Sequence, residues 1–157
     1  MKLGIGSLNS IGIRLEPSDA SEMVSQLLFG ETFKIIESNN EWIKIISDFD
    51  FYEGWVLLNQ VLLLNEENYK QIKASINCVS KELITYISDQ NNDLQILSLG
   101  ASLPLFENNT FDLVNNQYNF DGLTNHLKLA KNELVNTAYM YLNTPFLNIY
   151  TKCLTRS

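Results

Sequence analysis

Cysteine, histidine, proline and basic charge are all scarce in this chain of 157 residues. Its two cysteines, Cys78 and Cys153, make no disulfide framework. Spaced this widely, and with His126 as the one histidine, they support no zinc site. Lys and Arg total 11 against 18 Asp and Glu, for a net charge of −7. That balance, with no basic cluster to offset it, excludes non-specific binding to nucleic acid and attraction to an anionic membrane surface. No run approaches the roughly 18 apolar residues of a membrane span, and VLLL at 61–64 is far too short. The opening MKLGIGSLNS lacks the apolar core of a secretory signal, so a cytoplasmic location is expected. No Gly-rich phosphate loop is present, and no cofactor is expected.

What is present is ordinary globular composition, 45% hydrophobic and 18% charged. The first sixty or so residues predict short strands broken by turns. IGIRLEP (11–17) alternates Ile11, Ile13 and Leu15 against Gly12, Arg14 and Glu16 before Pro17 stops it. SDASEMVSQLLFGE carries polar loop residues into an apolar step and a Gly30–Glu31 turn. ETFKIIES (31–38) and EWIKIISD (41–48) flank Asn39–Asn40, a hairpin signal. FDFYEG is a second turn, and WVLLNQVLLL begins another strand. Five short strands with hairpin turns predict a small β-barrel over 1–63.

Across 64–77, Asn65 as a cap, early acids, and Tyr69, Ile72 and Ile76 predict a short helical connector. Strands return at 79–88, 93–107, 111–114 and 117–122, a second barrel over 78–122. From Thr124 to Asn143 the apolar residues Leu127, Ala130, Leu134, Ala138 and Tyr141 fall at helical spacing, and Thr144–Pro145 stops them. The fold class expected is mainly β: two small barrels joined by a short helix, then a helix over 123–147 and a tail at 148–157.

Trp55, beginning a strand after Gly54, reads as core, and Cys78 as a small buried hydrophobe. Tyr52 and Glu53 sit on the turn, where a rigid barrel presents side chains for binding. Glu16, held extended by Pro17, either is a solvated partner of Arg14 or takes a substrate ammonium. Asp48, Asp50, Asp89 and Asp93 lack calcium-loop spacing and read as turn formers. His126 reads as a surface or interface histidine. Cys153, the fifth residue from the end, has no scaffold to hold a base beside it.

RLEPSDASEMVSQLLFGETFKIIE followed by EWIKIISDFDFYEGWV resembles the N-terminal bacterial SH3-type (SH3b) domain of NlpC/P60 cysteine peptidases, in the signal-less Bacteroidetes form. LSLGASLPLFENNTFDLVNNQYNFDG is similar, more weakly, to their second SH3-type domain, and TAYMYLNTPFL to the helix entering the catalytic domain. The resemblance makes both barrels SH3-like. Those enzymes cut the γ-D-glutamyl–diamino acid bond of murein peptides. In the family, N-T-P-[FY]-L runs into W-G-G and then G-I-D-C-S-G-F with the nucleophile. Here NIYTKCLTRS follows, and Cys153 has neither Asp before it nor Ser-Gly after it. The resemblance therefore implies no catalytic residue in this chain and no enzyme activity of its own.

The same resemblance assigns Glu16 and Tyr52, with Glu53 beside them, to the free N-terminal L-alanine of a murein peptide, bound weakly. A cell-wall binding module, the targeting part of a hydrolase whose NlpC/P60 domain is supplied elsewhere or was lost, and an interaction or vestigial pair that self-associates all fit. So do a truncated gene, a frameshift and a stand-alone protein.

Overall fold

The structure is a computed structural model, and it describes residues 2–75, 77–126, 135 and 139. The chain divides into two compact units, Met1–Ser75 and Ile76–Ser157.

The first unit is built on alternation. β2 (Ser10–Arg14) and β5 (Trp42–Ser47) bury every second residue, so Ile11, Ile13, Ile43 and Ile45 share one face with Phe33 and Ile35 of β4 (Thr32–Asn39). β1 (Lys2–Gly6), β3 (Met23–Leu28), β6 (Glu53–Leu57) and β7 (Val61–Leu64) complete an antiparallel seven-stranded sheet. Its order is β3-β2-β6-β5-β4-β1-β7. Leu27 from one outer strand and Val61 from the other belong to one buried cluster, so the sheet curls around its own core.

The closed barrel expected over 1–63 is thus corrected to an open, curled sheet. One reason lies at the edge of β3, where the Leu28 N–H donates to the buried carboxylate of Glu31 (2.8 Å) rather than to a closing strand. A side chain that takes an edge donor removes the template for further pairing. Seven strands replace the expected five: the apolar step in SEMVSQLLFG is β3, and Lys2–Gly6 forms a strand between β4 and β7.

α1 (Glu66–Ala74) begins where the sequence places its cap, with the Asn65 side chain accepting from the Asn68 N–H (2.7 Å). None of its residues is buried. A polar clamp links it to the sheet instead. Asp48 Oδ2 accepts from the Thr32 hydroxyl and from the Tyr69 hydroxyl, each at 2.6 Å, and Lys73 Nζ approaches to 4.0 Å. Burial, with the Asp48 carboxylate second, pushes the Tyr69 phenol well above its ordinary range, so it stays a donor. Tyr69→Phe is expected to lower the stability of the unit by about 1.5 kcal/mol, the scale of a hydrogen bond to a charged acceptor. Urea unfolding with an unchanged midpoint would show the clamp to be idle.

The second unit holds a four-stranded antiparallel sheet, β10-β9-β12-β11, made of β9 (Ile84–Asp89), β10 (Leu94–Ser98), β11 (Thr110–Leu113) and β12 (Asn116–Asn119). β8 (Val79–Ser80) pairs with β13 (Thr124–Asn125) in a separate ribbon. Phe111 and Tyr118, opposite each other in the register, stack with centroids 5.3 Å apart. Phe106 meets Phe120 edge-on at 5.9 Å. Among the described residues no closed barrel forms here either. The strand expected over 93–107 stops at Ser98, because Gly100 turns at φ 81° and the Ala101 N–H bonds back to the Ser98 carbonyl (3.1 Å).

Helix 123–147 is corrected at its start. Thr124–Asn125 pair with Ser80 and Val79 as strand, and the Lys81 N–H donates to Leu123 (2.9 Å), so β-pairing overrides the helical spacing there. From residue 127 on, apart from positions 135 and 139, that helix and the tail at 148–157 lie outside the described residues.

Candidate functional site

β2 and β6 run antiparallel with Arg14 opposite Trp55. Glu16 lies two residues past that point on the outgoing chain, and Tyr52 three before it on the incoming chain. The sheet therefore brings both to the same end of one strand pair. Glu16 is exposed, its N–H donating to Ser21 Oγ (2.9 Å) and its carbonyl accepting from the Ser18 N–H (2.7 Å). These bonds hold the 15–22 loop and leave the carboxylate toward solvent. Arg14 is not its partner: the guanidinium donates to the Ser21 carbonyl instead (3.0 Å).

Tyr52 is 49% exposed, and its carbonyl closes the 47–52 turn by accepting from the Ser47 N–H (3.0 Å). Glu53 is exposed but lies 3.4 Å from Lys44 Nζ, which gives its carboxylate a partner on β5. Of these three, Glu53 has an ion-pair partner, while Glu16 and Tyr52 stand exposed at one end of the strand pair. A carboxylate and a phenol oxygen suit the three donors of an ammonium. Trp55, 8% exposed, is buried as expected.

Two neighbours escape sequence reasoning. Phe51 adopts φ 59° and is 75% exposed, beside Tyr52 at the tip of the turn. A bulky residue in left-handed backbone is uncommon, and such outliers gather at functional turns. Leu15 is 57% exposed next to Glu16. Together they add apolar surface to a polar pair, and only the run of aromatics in FDFY hinted at it. A pocket of about 140 Å³ opens at the opposite end of the sheet, between Asn39, Ile43, Leu58 and Leu63, and does not include Glu16 or Tyr52.

The second unit brings a thiol and an imidazole together, but not the pair that the chain terminus suggests. Cys78 Sγ lies 3.8 Å from His126 Nε2, whereas Cys153 lies outside the described residues. Cys78 is buried, and burial pushes its thiol up to about 11, only partly opposed by a hydrogen bond with Thr124. A nucleophilic cysteine needs the reverse, a depressed value and access. Cys78 is a protonated core thiol at neutral pH. Among the described residues no three of His, Cys, Asp or Glu converge as metal ligands. No described helix is long and apolar enough to cross a membrane.

The segment carrying Glu16, Tyr52 and Glu53 coincides with a known family. Residues 13–61 match the family described as the bacterial dipeptidyl-peptidase Sh3 domain. Among curated proteins, none matches the chain. Among solved structures, the chain is similar to an NlpC/P60 family protein from Bacillus cereus, with a TM-score of 0.74 at 14% identity over 92% of this chain. The likeness spans 65% of that protein's length. Over residues 13–61 the chain thus resembles a bacterial SH3-type domain, and its fold is similar to that of one NlpC/P60 family protein.

Proposed function

We propose that the chain is a non-catalytic SH3-type module of a cytoplasmic murein-peptide hydrolase system, binding the free amino terminus of L-Ala-γ-D-Glu peptides at Glu16 and Tyr52. On this reading 1–63 and 78–122 are its two SH3-like domains, and an NlpC/P60 catalytic domain is its partner. The observation that carries it is the placement of Glu16 and Tyr52 at one end of the β2–β6 pair, inside the segment that matches the bacterial SH3 family.

Two hydrogen bonds, one of them charge-assisted, are worth about 2–4 kcal/mol before the entropy of association is subtracted, so affinity is millimolar at best. Chemical-shift mapping with L-Ala-γ-D-Glu-diaminopimelate should move the Glu16 and Tyr52 amides. The N-acetylated peptide should not, because acetylation removes the ammonium charge. Glu16→Gln is expected to weaken binding about tenfold, the loss of one charge-assisted bond. Equal shifts from both peptides would make the site a structural turn and the module a scaffold.

Phe51 separates binding from folding. Glycine at this φ escapes the roughly 1–2 kcal/mol that left-handed backbone costs an ordinary residue, while losing chain entropy on folding. Phe51→Gly should therefore leave stability within about 1 kcal/mol of the parent and still weaken peptide binding. A destabilised variant with undiminished affinity would remove Phe51 from the site.

A further inference from the structure

β10 is an outer strand of the second unit's four-stranded sheet. At the mouth of the β9–β10 hairpin the Asp89 N–H donates to the Asp93 carbonyl (3.1 Å). The register pairs Gln95 with Ile87 and Leu97 with Thr85. Antiparallel ladders alternate, so Gln95 and Leu97 turn their backbone groups toward β9, and Leu94 and Ile96 turn theirs outward. The sheet order ends at this edge, and Leu94 and Ile96 are 72% and 50% exposed.

The strand, LQILS, has none of the usual protection of an edge: no lysine, no proline, no charge of either sign. Its solvent face is apolar as well. Leu94 and Ile96 stand on the same side as Ile84 and Tyr86 of β9, with Ile96 directly opposite Tyr86 in the register, and all four are at least half exposed.

We propose that β10 pairs edge to edge with β10 of a second copy of this chain, antiparallel about a two-fold axis at Gln95. The register is self-complementary. Leu94 of each copy exchanges N–H and C=O bonds with Ile96 of the other, four hydrogen bonds in all. Each Leu94 side chain then lies beside an Ile96, and the two apolar faces join across the axis. The pairing ends at Ser98, whose carbonyl already accepts from the Ala101 N–H (3.1 Å). A chain of net charge −7 repels its own copies, and an uncharged strand is where that repulsion is least felt. The same neutrality makes a charged partner strand the poorer occupant.

Light scattering on the whole chain over a dilution series should give a species of twice the 18.0 kDa chain mass at high concentration. Ile96→Lys sets like charges against each other across the axis while leaving the β9 ladder intact. It should raise the dimer dissociation constant about tenfold or more, with unchanged far-UV circular dichroism. Gln95→Cys in a Cys153→Ser background tests the axis without adding charge. Gln95 would face its own copy at a non-hydrogen-bonded position, about 4.5 Å between Cα atoms, within disulfide reach. Mild oxidation should then link two chains. A monomer at every concentration, a dimer indifferent to Ile96→Lys, or a Gln95→Cys chain that stays unlinked would each overturn the proposal.

Discussion

Gly54→Ala should cost the first unit about 3 kcal/mol, the upper end of ordinary overpacking. A Cβ at Gly54 would stand 2.5 Å from Ile13 Cγ2 and 2.6 Å from the Arg14 carbonyl oxygen. Ile13 is fully buried and has nowhere to go. The Arg14 oxygen is backbone, and it moves only if β2 and β6 separate. That pair has a single registered position, Arg14 opposite Trp55, so it has little reserve. Gly12→Ala is the matched control, because its nearest neighbour is the Met23 Sδ at 3.1 Å, the flexible end of a side chain. It should cost about 1 kcal/mol or less. Urea midpoints compare the two, and similar losses would refute the close-approach account. Separation of β2 from β6 would also part Glu16 from Tyr52, so the peptide binding proposed for that pair should fall in Gly54→Ala even where the fold survives.

The role of Gly54 shows where sequence reading reaches its limit. A glycine after FDFYE reads as a turn former, yet it sits within β6, and the left-handed residue of the turn is Phe51. Turn chemistry is local and leaves a mark in the sequence, whereas the approach of β2 to β6 joins residues forty apart and leaves none. Strand legibility follows the same division. β2, β4 and β5 announce themselves by alternation or by the Asn39–Asn40 hairpin. β3 buries Ser25, Gln26, Leu27 and Leu28 in succession, so no period of two is present to find. β1 hides behind Gly4 and Gly6, weak strand formers in isolation that admit close neighbours here, the Phe33 ring lying against Gly4. The α1 cap was legible because it is contained within four residues. The clamp that docks the helix was not, since Thr32, Asp48 and Tyr69 meet only through the fold.

Glu16 and Tyr52 were marked by the motifs around Pro17 and Gly54, and the sheet places them at a common end. The Cys78–His126 approach, spanning 48 positions, had no sequence signal at all.

That buried thiol yields the second large effect. Cys78 is expected to react with iodoacetamide about a hundredfold more slowly in the native chain than in the unfolded chain. Burial lifts its pKa from 9.0 to about 11, and the thiolate is the reacting species. Limited access can only widen the gap, since the side chain is 2% exposed. The same shift sets a pH dependence. Below about 9 the thiol is protonated in both states and contributes no slope. Between about 9 and about 11 the unfolded chain releases the proton while the native chain keeps it, so the native state binds more protons and stability falls as pH rises. Contributions from all other groups are common to parent and variant, which makes Cys78→Ala the necessary reference: the parent should lose stability more steeply than the variant across that interval. His126 does not reverse this. A charged imidazole beside the sulfur would depress the thiol, and at 3.8 Å from a buried, protonated sulfur it acts as a neighbour rather than as a base. Native alkylation as fast as in denaturant, or parallel stability curves for parent and Cys78→Ala, would refute the buried, protonated thiol.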